Sequence, residues 1–421
     1  MLDARAAAPR PALDFDPLSL EFQRDPLPIL RRLREESPVF YQPKYDFFAI
    51  TRHEDVKKAL LDTDTFSQGE LASATVPDRY TDRIPQHFFS QSFTGSNPPE
   101  HTAYRKLGQA LLSKQSVAHL EGPIRGLAHT LIDDFIDEES ADLIKQYFVR
   151  LTLGTMMTLL GIPMTEYDEM LRLIHDLPLL IQQHVVDVTG DDMWRNLAES
   201  RDQFREIIRQ RRADPGDDFV SRLCAAGDDT AETLCDDEWI ITVMGELLLG
   251  GTDTASNAMA SAFLYIERDE KLRAEALANP ALFANIFEET LRMAGTVTGA
   301  WKRAERDVEV RGVTIPKGSA VWMVLLAGSN DPAVYDQPET FCPHRERPTS
   351  HLAFGFGRHL CLGAPLARLE GRIGLDVLYR RIPDIRLRPG TELRYERTII
   401  ARVLENFPTV WGSKAKALGL N

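Results

Sequence analysis

The longest helical pattern in the chain covers residues 236–268, and it leaves few ways to arrange the rest. Asp236, Asp237 and Glu238 put carboxylates in a first turn, where the helix dipole favours them. At about 1.5 Å rise per residue such a rod crosses a whole molecule of this size. Other elements must therefore pack along its length, and most of them also read as helices. Residues 26–36 place Leu27, Leu30 and Leu33 at helical spacing, and a further helix is expected over 54–61. Residues 98–212 are mainly helical, with breaks expected at Gly122-Pro123, Gly161-Ile162-Pro163 and Thr189-Gly190. A last long helix begins near Gly363 and stops before Pro383, with Leu362, Leu366, Leu369, Ile373 and Val377 on one stripe. Short β-rich runs occur at 39–41 and 47–51, a hairpin around Pro43–Asp46, and again at 308–310, 313–315 and 320–324. The fold class is mainly α with small β-sheets. Residues 67–96 show no period but carry Tyr80, Phe88, Phe89 and Phe93; a loop this long with such aromatics points to function.

No shift in composition, repeat or low-complexity linker divides the 421 residues, so one domain over 1–421 is expected, with 1–16 a loose segment. A net charge of −14 opposes general nucleic-acid binding. Seven arginines between 358 and 388 nevertheless face only Glu370, Asp376 and Asp384. That surplus suits an acidic protein partner, or is simply a solvated helix face. The four cysteines do not form a disulfide framework, which places the chain in a reducing compartment. The N-terminal residues contain no apolar signal or anchor, and the greasiest run, 239–251, is short and carries Glu246. A cytoplasmic protein without membrane contact is expected.

One cysteine stands apart. Phe354-Gly355-Phe356-Gly357-Arg358-His359-Leu360-Cys361-Leu362-Gly363 frames it with glycines and leads straight into a helix. Glycines at 355 and 357 permit tight turns and a close backbone approach to a flat ligand. A cysteine at a helix N-terminus has its thiolate stabilised by free N–H groups and the dipole, so it can ligate a metal at neutral pH. An inert buried thiol is the alternative; a zinc site is not, because no second Cys/His pair has the spacing.

The run Phe354-Gly355-x-Gly357-x-His359-x-Cys361-x-Gly363 resembles the haem-binding signature of the cytochrome P-450 family at every defined position. The resemblance implies the P-450 fold, with haem b (iron protoporphyrin IX) between the long central helix and the cysteine-loop helix. Cys361 would be the axial iron ligand, Phe354 would pack on the porphyrin, and His359 would bond a propionate. A thiolate ligand donates electron density that favours O–O cleavage.

Further motifs follow in family order. Glu289-Thr290-Leu291-Arg292 sets a carboxylate and a guanidinium on one helix face, where most such pairs are exposed and contribute little. The resemblance implies instead a buried structural triad completed by Arg345, although Cys342 stands where the family usually has Asp. Gly250-Gly251-Thr252-Asp253-Thr254 interrupts the long helix at about 1 kcal/mol per glycine. Taken alone, Thr254 could bond a backbone carbonyl and bend the helix, and Asp253 could face solvent. In the family the glycines leave room for dioxygen, and the acid–alcohol pair corresponding to Asp253 and Thr254 relays protons. His101 and Arg105, at i and i+4, could share one propionate or lie on an ordinary surface helix. Arg303 matches the family's other propionate arginine, with Arg306 close by.

The resemblance implies a monooxygenase that takes O2 and a small, largely apolar substrate. It would receive electrons from a ferredoxin served by an NAD(P)H-dependent ferredoxin reductase. By analogy the pocket would draw on Phe88 and Phe89, residues 174–193, Met244, Leu248 and Gly250. Val297, Trp301, Ile399 and Ile400 would complete it, with Trp301 equally able to be a core residue. Oxidative aromatic coupling or peroxide-driven oxidation would use the same site. A non-catalytic haem ligand-binding protein would have no use for the Asp253–Thr254 pair.

Overall fold

A computed structural model describes residues 9, 11, 14–68, 75–86, 88, 92–182, 190–229 and 236–420. The long helix occupies Asp237–Glu267. Asp236 caps it, its Oδ1 accepting the Trp239 N–H at 2.7 Å and so satisfying an amide that the helix cannot. Helices Val149–Leu160, Leu282–Ala294 and Ala364–Arg381 pack against this rod. Gly251 explains how the first of them comes so near. A Cβ there would lie 2.4 Å from Met156 Sδ, so any larger residue would require the Met156 side chain to move aside.

A five-stranded sheet flanks the helices in the order Val39–Gln42, Phe47–Ile50, Ala320–Met323, Ala300–Ala304 and Phe66–Ser67. The first two strands form the expected hairpin, with Val39 opposite Ile50. The strand Ala300–Ala304 was not anticipated, and its register sets Lys302 opposite Val321 and Arg303 opposite Ala320. A second sheet joins Ser140–Asp142, Pro408–Val410 and Arg386–Leu387, so a strand interrupts the region read as helical. Strands Val308–Val310 and Val313–Ile315 form a separate hairpin.

Two expectations need correction. Gly122 and Pro123 do not break a helix but open one, Glu121–Asp133, because proline in a first turn sacrifices no hydrogen bond. The joint lies just before it, in the 3₁₀ turn Ala118–Leu120. Nor is the N-terminal segment loose up to residue 16. The Phe15 ring is buried against Phe22 and Phe40, and its carbonyl accepts from Gln42 Nε2 at 3.0 Å. Burying such a ring contributes roughly 1.5–3 kcal/mol. Asp16 accepts the Tyr45 hydroxyl at 2.7 Å. No helix among the described residues is long and apolar enough to cross a membrane.

Candidate functional site

The central helix, the cysteine loop and the chain's last hairpin enclose a cavity of about 680 Å³. On one side, the loop folds back so that Cys361 N–H donates to Phe354 O at 2.8 Å and Gly355 N–H to Leu352 O at 2.7 Å. Gly355 and Gly357 have φ of 73° and 75°, the left-handed region that favours glycine. At Gly357 a Cβ would also press on Leu60 O at 3.3 Å. Helix Ala364–Arg381 starts directly after Gly363. The Cys361 sulfur thus meets the Gly363 and Ala364 N–H groups at a helix start. Although the residue is exposed overall, packing around its sulfur pushes the thiol pKa up, while those amides, with Arg105 and Arg368, pull it down. Phe354 lies beneath the Arg368 guanidinium at 4.6 Å from the ring centroid.

Beside the loop, four basic side chains converge without a counter-charge. The His101 and His359 rings stand 3.9 Å apart between centroids. Lys302, fully buried, donates to Gln68 Oε1 at 2.5 Å, and the Gln68 amide meets His359 Nδ1 at 2.9 Å. Arg105 donates to the Leu360 carbonyl. His101 Nε2 and Arg105 Nε are buried with no partner. Among the described residues no carboxylate pairs with any of the four. Burial is the main reason their charged forms are disfavoured, with each other's charge adding to it at the histidines. The pKa of His101 is pushed down to about 4 and that of His359 to about 3. Burial alone brings Lys302 down to about 8. Orphaned donors and suppressed charges fit an acidic ligand that the chain itself does not supply, such as the carboxylates of a porphyrin.

Arg303 does not belong to this group. Strand residues alternate faces, and the register that turns Lys302 inward leaves Arg303 exposed on the outer side. Arg306 bonds Thr65. Lys302 therefore takes the position expected for Arg303.

Opposite the cysteine, Glu246, Leu249, Gly250, Asp253 and Thr254 of the central helix face the cavity. Nothing lies within 4 Å of a Cβ built on Gly250, so that glycine opens the wall, whereas Gly251 serves helix packing. Thr254 Oγ1 donates back to Gly250 O at 2.6 Å while remaining on the cavity side. Asp253 is buried, with no side-chain hydrogen bond among the described residues. Burial, and then the neighbouring Glu396 carboxylate, raise its pKa to about 7. Glu246 was not anticipated as a site residue. Its carboxylate accepts the Phe93 and Thr94 N–H groups at 2.9 and 2.8 Å, tying residues 92–95 to the helix. A lone acid in the greasiest stretch of the chain was the signal for it.

Val297, Trp301, Ile399 and Ile400 line the cavity, joined by Pro178, Ile181 and Gln182 from the region 174–193. Trp301 is also packed edge-on against Phe47 at 5.1 Å and stacked on Trp322 at 5.9 Å. Met244 and Leu248 are not on this surface. They are fully buried in the main core, because the helix turns 100° per residue and presents 246, 249, 250 and 253 instead. Phe88 likewise packs edge-on against Trp194, 6.4 Å away, and does not line the cavity. Phe89 lies outside the described residues.

Behind the cysteine loop, Glu289 and Arg292 are wholly buried and paired at 2.8 and 2.9 Å, and Arg345 Nε donates to the same carboxylate at 2.9 Å. Arg292 also reaches Ser329 O, Asn330 Oδ1 and Pro338 O. Cys342, in place of the family's acid, contributes through its backbone, its N–H donating to Glu289 at 3.0 Å and its carbonyl accepting the Arg345 N–H at 3.3 Å. The arginine-rich stretch is largely neutralised within the chain. Arg368, Arg372, Arg380, Arg381 and Arg386 pair with Glu288, Glu121, Asp376, Asp133 and Glu270. Arg358 and Arg388 are exposed and have no ion pair among the described residues.

The family described as Cytochrome P450 matches residues 30–381. The mycinamicin IV hydroxylase/epoxidase of Micromonospora griseorubida is 31% identical over 386 residues, covering 90% of this chain and 94% of that protein. The polyketide biosynthesis cytochrome P450 PksS of Bacillus subtilis is 28% identical, covering 94% of this chain and 98% of its own. Among solved structures, epothilone D-bound cytochrome P450epoK superimposes with a TM-score of 0.86 at 24% identity, over 95% of this chain and 99% of that one.

Proposed function

The chain belongs to the cytochrome P450 family, and from that premise we propose a haem-thiolate monooxygenase that acts on a small, largely apolar organic molecule in the cytoplasm. The reaction consumes O2, two electrons and two protons, places one oxygen atom in the substrate and releases the other as water. The observation that carries this reading is a free cysteine at a helix start beside four basic side chains that have no counter-charge among the described residues.

Haem b would fit those residues: Cys361 would ligate its iron, and His101, Arg105, Lys302 and His359 would hold its propionates. Bound there, it supplies dioxygen activation, which a thiolate ligand favours by electron donation. The chain's own part is to hold and deliver protons. Asp253, its pKa raised to about 7, is divided between its protonated and charged forms at neutral pH and can both give and take a proton. Thr254 stands next to it on the same wall, its hydroxyl oriented by Gly250 O. Gly250 keeps the space between them and the cysteine side open. The apolar lining from Val297, Ile399 and Leu249 desolvates the substrate and excludes bulk water. Electrons come one at a time from a ferredoxin served by an NAD(P)H-dependent reductase, and the unpaired Arg358 beside the cysteine offers an acidic partner its first contact.

The test is the carbon monoxide difference spectrum of the dithionite-reduced protein. A strongly red-shifted Soret band is expected, and Cys361→Ser should abolish it completely. A band at the position of histidine-ligated haem proteins in fresh wild-type protein would refute thiolate ligation.

A further inference from the structure

The C-terminal hairpin brings one more charged group to the cavity. Tyr395 pairs with Leu404, and Glu396 N–H donates to Val403 O at 2.9 Å, so the stem is a short antiparallel ribbon. Side chains alternate along it. Glu396, Thr398 and Val403 face the substrate cavity, while Tyr395 and Arg402 line a separate cleft behind. The Glu396 carboxylate forms no hydrogen bond and no ion pair among the described residues.

Basic neighbours are present but engaged elsewhere. Arg394 pairs with Glu405, Arg397 is exposed, and Arg402 donates to the carbonyls of Gln23, Arg24 and Ala294. The charges that act on Glu396 and Asp253 come from other carboxylates, Glu405 on the first and Glu396 on the second. Asp253 is itself buried, unpartnered and directed into the same cavity. The cations that do line the space, Lys302 and His359, stand at the anion-binding end. Glu246 is answered by two amides, and Asp46 accepts the Tyr41 hydroxyl. A largely apolar chamber thus keeps a half-buried carboxylate with no partner among the described residues, and a ligand cation would offset the cost of its partial desolvation.

We propose that Glu396 determines specificity by receiving a protonated or quaternary nitrogen of the substrate, so that the enzyme selects amphipathic amines. This rests on the monooxygenase reading of the cavity and adds the chemical class of what enters it. Tyr45, Phe47 and Trp301 on the same lining offer apolar surface to the body of such a cation.

The experiment compares an arylalkyl trimethylammonium ion with its neutral tert-butyl isostere. A quaternary nitrogen cannot ligate iron, so any spin-state change in the ferric haem-loaded protein reports seating in the cavity. Wild type should bind the cation about tenfold more tightly or better. Glu396→Gln should bring the ratio near unity and leave the affinity for the neutral isostere unchanged. Equal or weaker binding of the cation by wild type, an unchanged ratio in Glu396→Gln, or binding of neither probe overturns the proposal. Carbon monoxide spectra of the same samples separate the two levels. A thiolate band without cation preference sinks this inference alone, and absence of the band sinks the reading beneath it.

Discussion

At Glu289, Arg292 and Arg345 every buried charge is answered by another part of the chain; at His101, Arg105, Lys302 and His359 the answer is missing. Both groups sit beside the cysteine loop and both are largely buried. In the first, the guanidinium of Arg292 meets a carboxylate, an amide and several carbonyls, which repays the removal of its charge from water. In the second, two donors are orphaned, and the histidines and the lysine lose their protons more readily than usual. Charge completed within the protein shapes the fold, whereas charge left incomplete anticipates a ligand. Asp253 shows a third solution, in which burial is tolerated by staying neutral.

Three measurements can break or sharpen this contrast. The largest effect is expected from Arg292→Met, which strands the Glu289 carboxylate in the core. It should cost about 3–5 kcal/mol of unfolding free energy, with or without haem. A loss seen only in the haem-loaded protein would move this network into the ligand-dependent class.

Next comes pH. The folded-state pKa of Asp253 is raised, so the folded chain binds the extra proton between the ordinary aspartate range and about 7. The stability of wild type relative to Asp253→Asn is therefore full below about pH 4 and is lost as pH rises through 7. Chemical denaturation of the haem-free proteins across that window should show a relative decline of roughly 2–3 kcal/mol. A flat difference would mean that the carboxyl is solvated.

The smallest effect is expected at Lys302→Met. The haem-free protein should be as stable as wild type or slightly more so, since a desolvated cation is removed. Haem loss to an acceptor protein should be about tenfold faster, in keeping with one lost charge-assisted hydrogen bond. If the haem-free variant is instead strongly destabilised, the lysine is structural and the contrast fails at that position.

How much of this was readable beforehand depended on whether the signal was local. Helix limits at Pro26–Glu36 and Ala364–Arg381, and the cap at Asp236, follow from spacing, proline and charge within a few residues. The cysteine loop is likewise a contiguous pattern. Lys302 was passed over for Arg303 because the strand that holds both is short, and its facing is decided by partners far away in sequence, Ser67 and Val321. Met244 and Leu248 were misplaced because the central helix is apolar on nearly all sides, so its sequence carries little phase information. Glu396 gave no local sign at all. Its importance arises only when a hairpin near the C-terminus is laid beside a helix some 140 residues earlier.

Gly251, pressed against Met156, has a consequence for how such a protein can change over generations. The close approach packs the central helix tightly against its neighbour. Leu249 and Gly250, which border the chamber, can then be exchanged with little demand on the core behind them, whereas Glu246 is held by the Phe93 and Thr94 amides. A lineage carrying this glycine is free to retailor what its chamber accepts through single substitutions, each tried on an unchanged frame. Diversity on one face of the rod is made possible by immobility on the other.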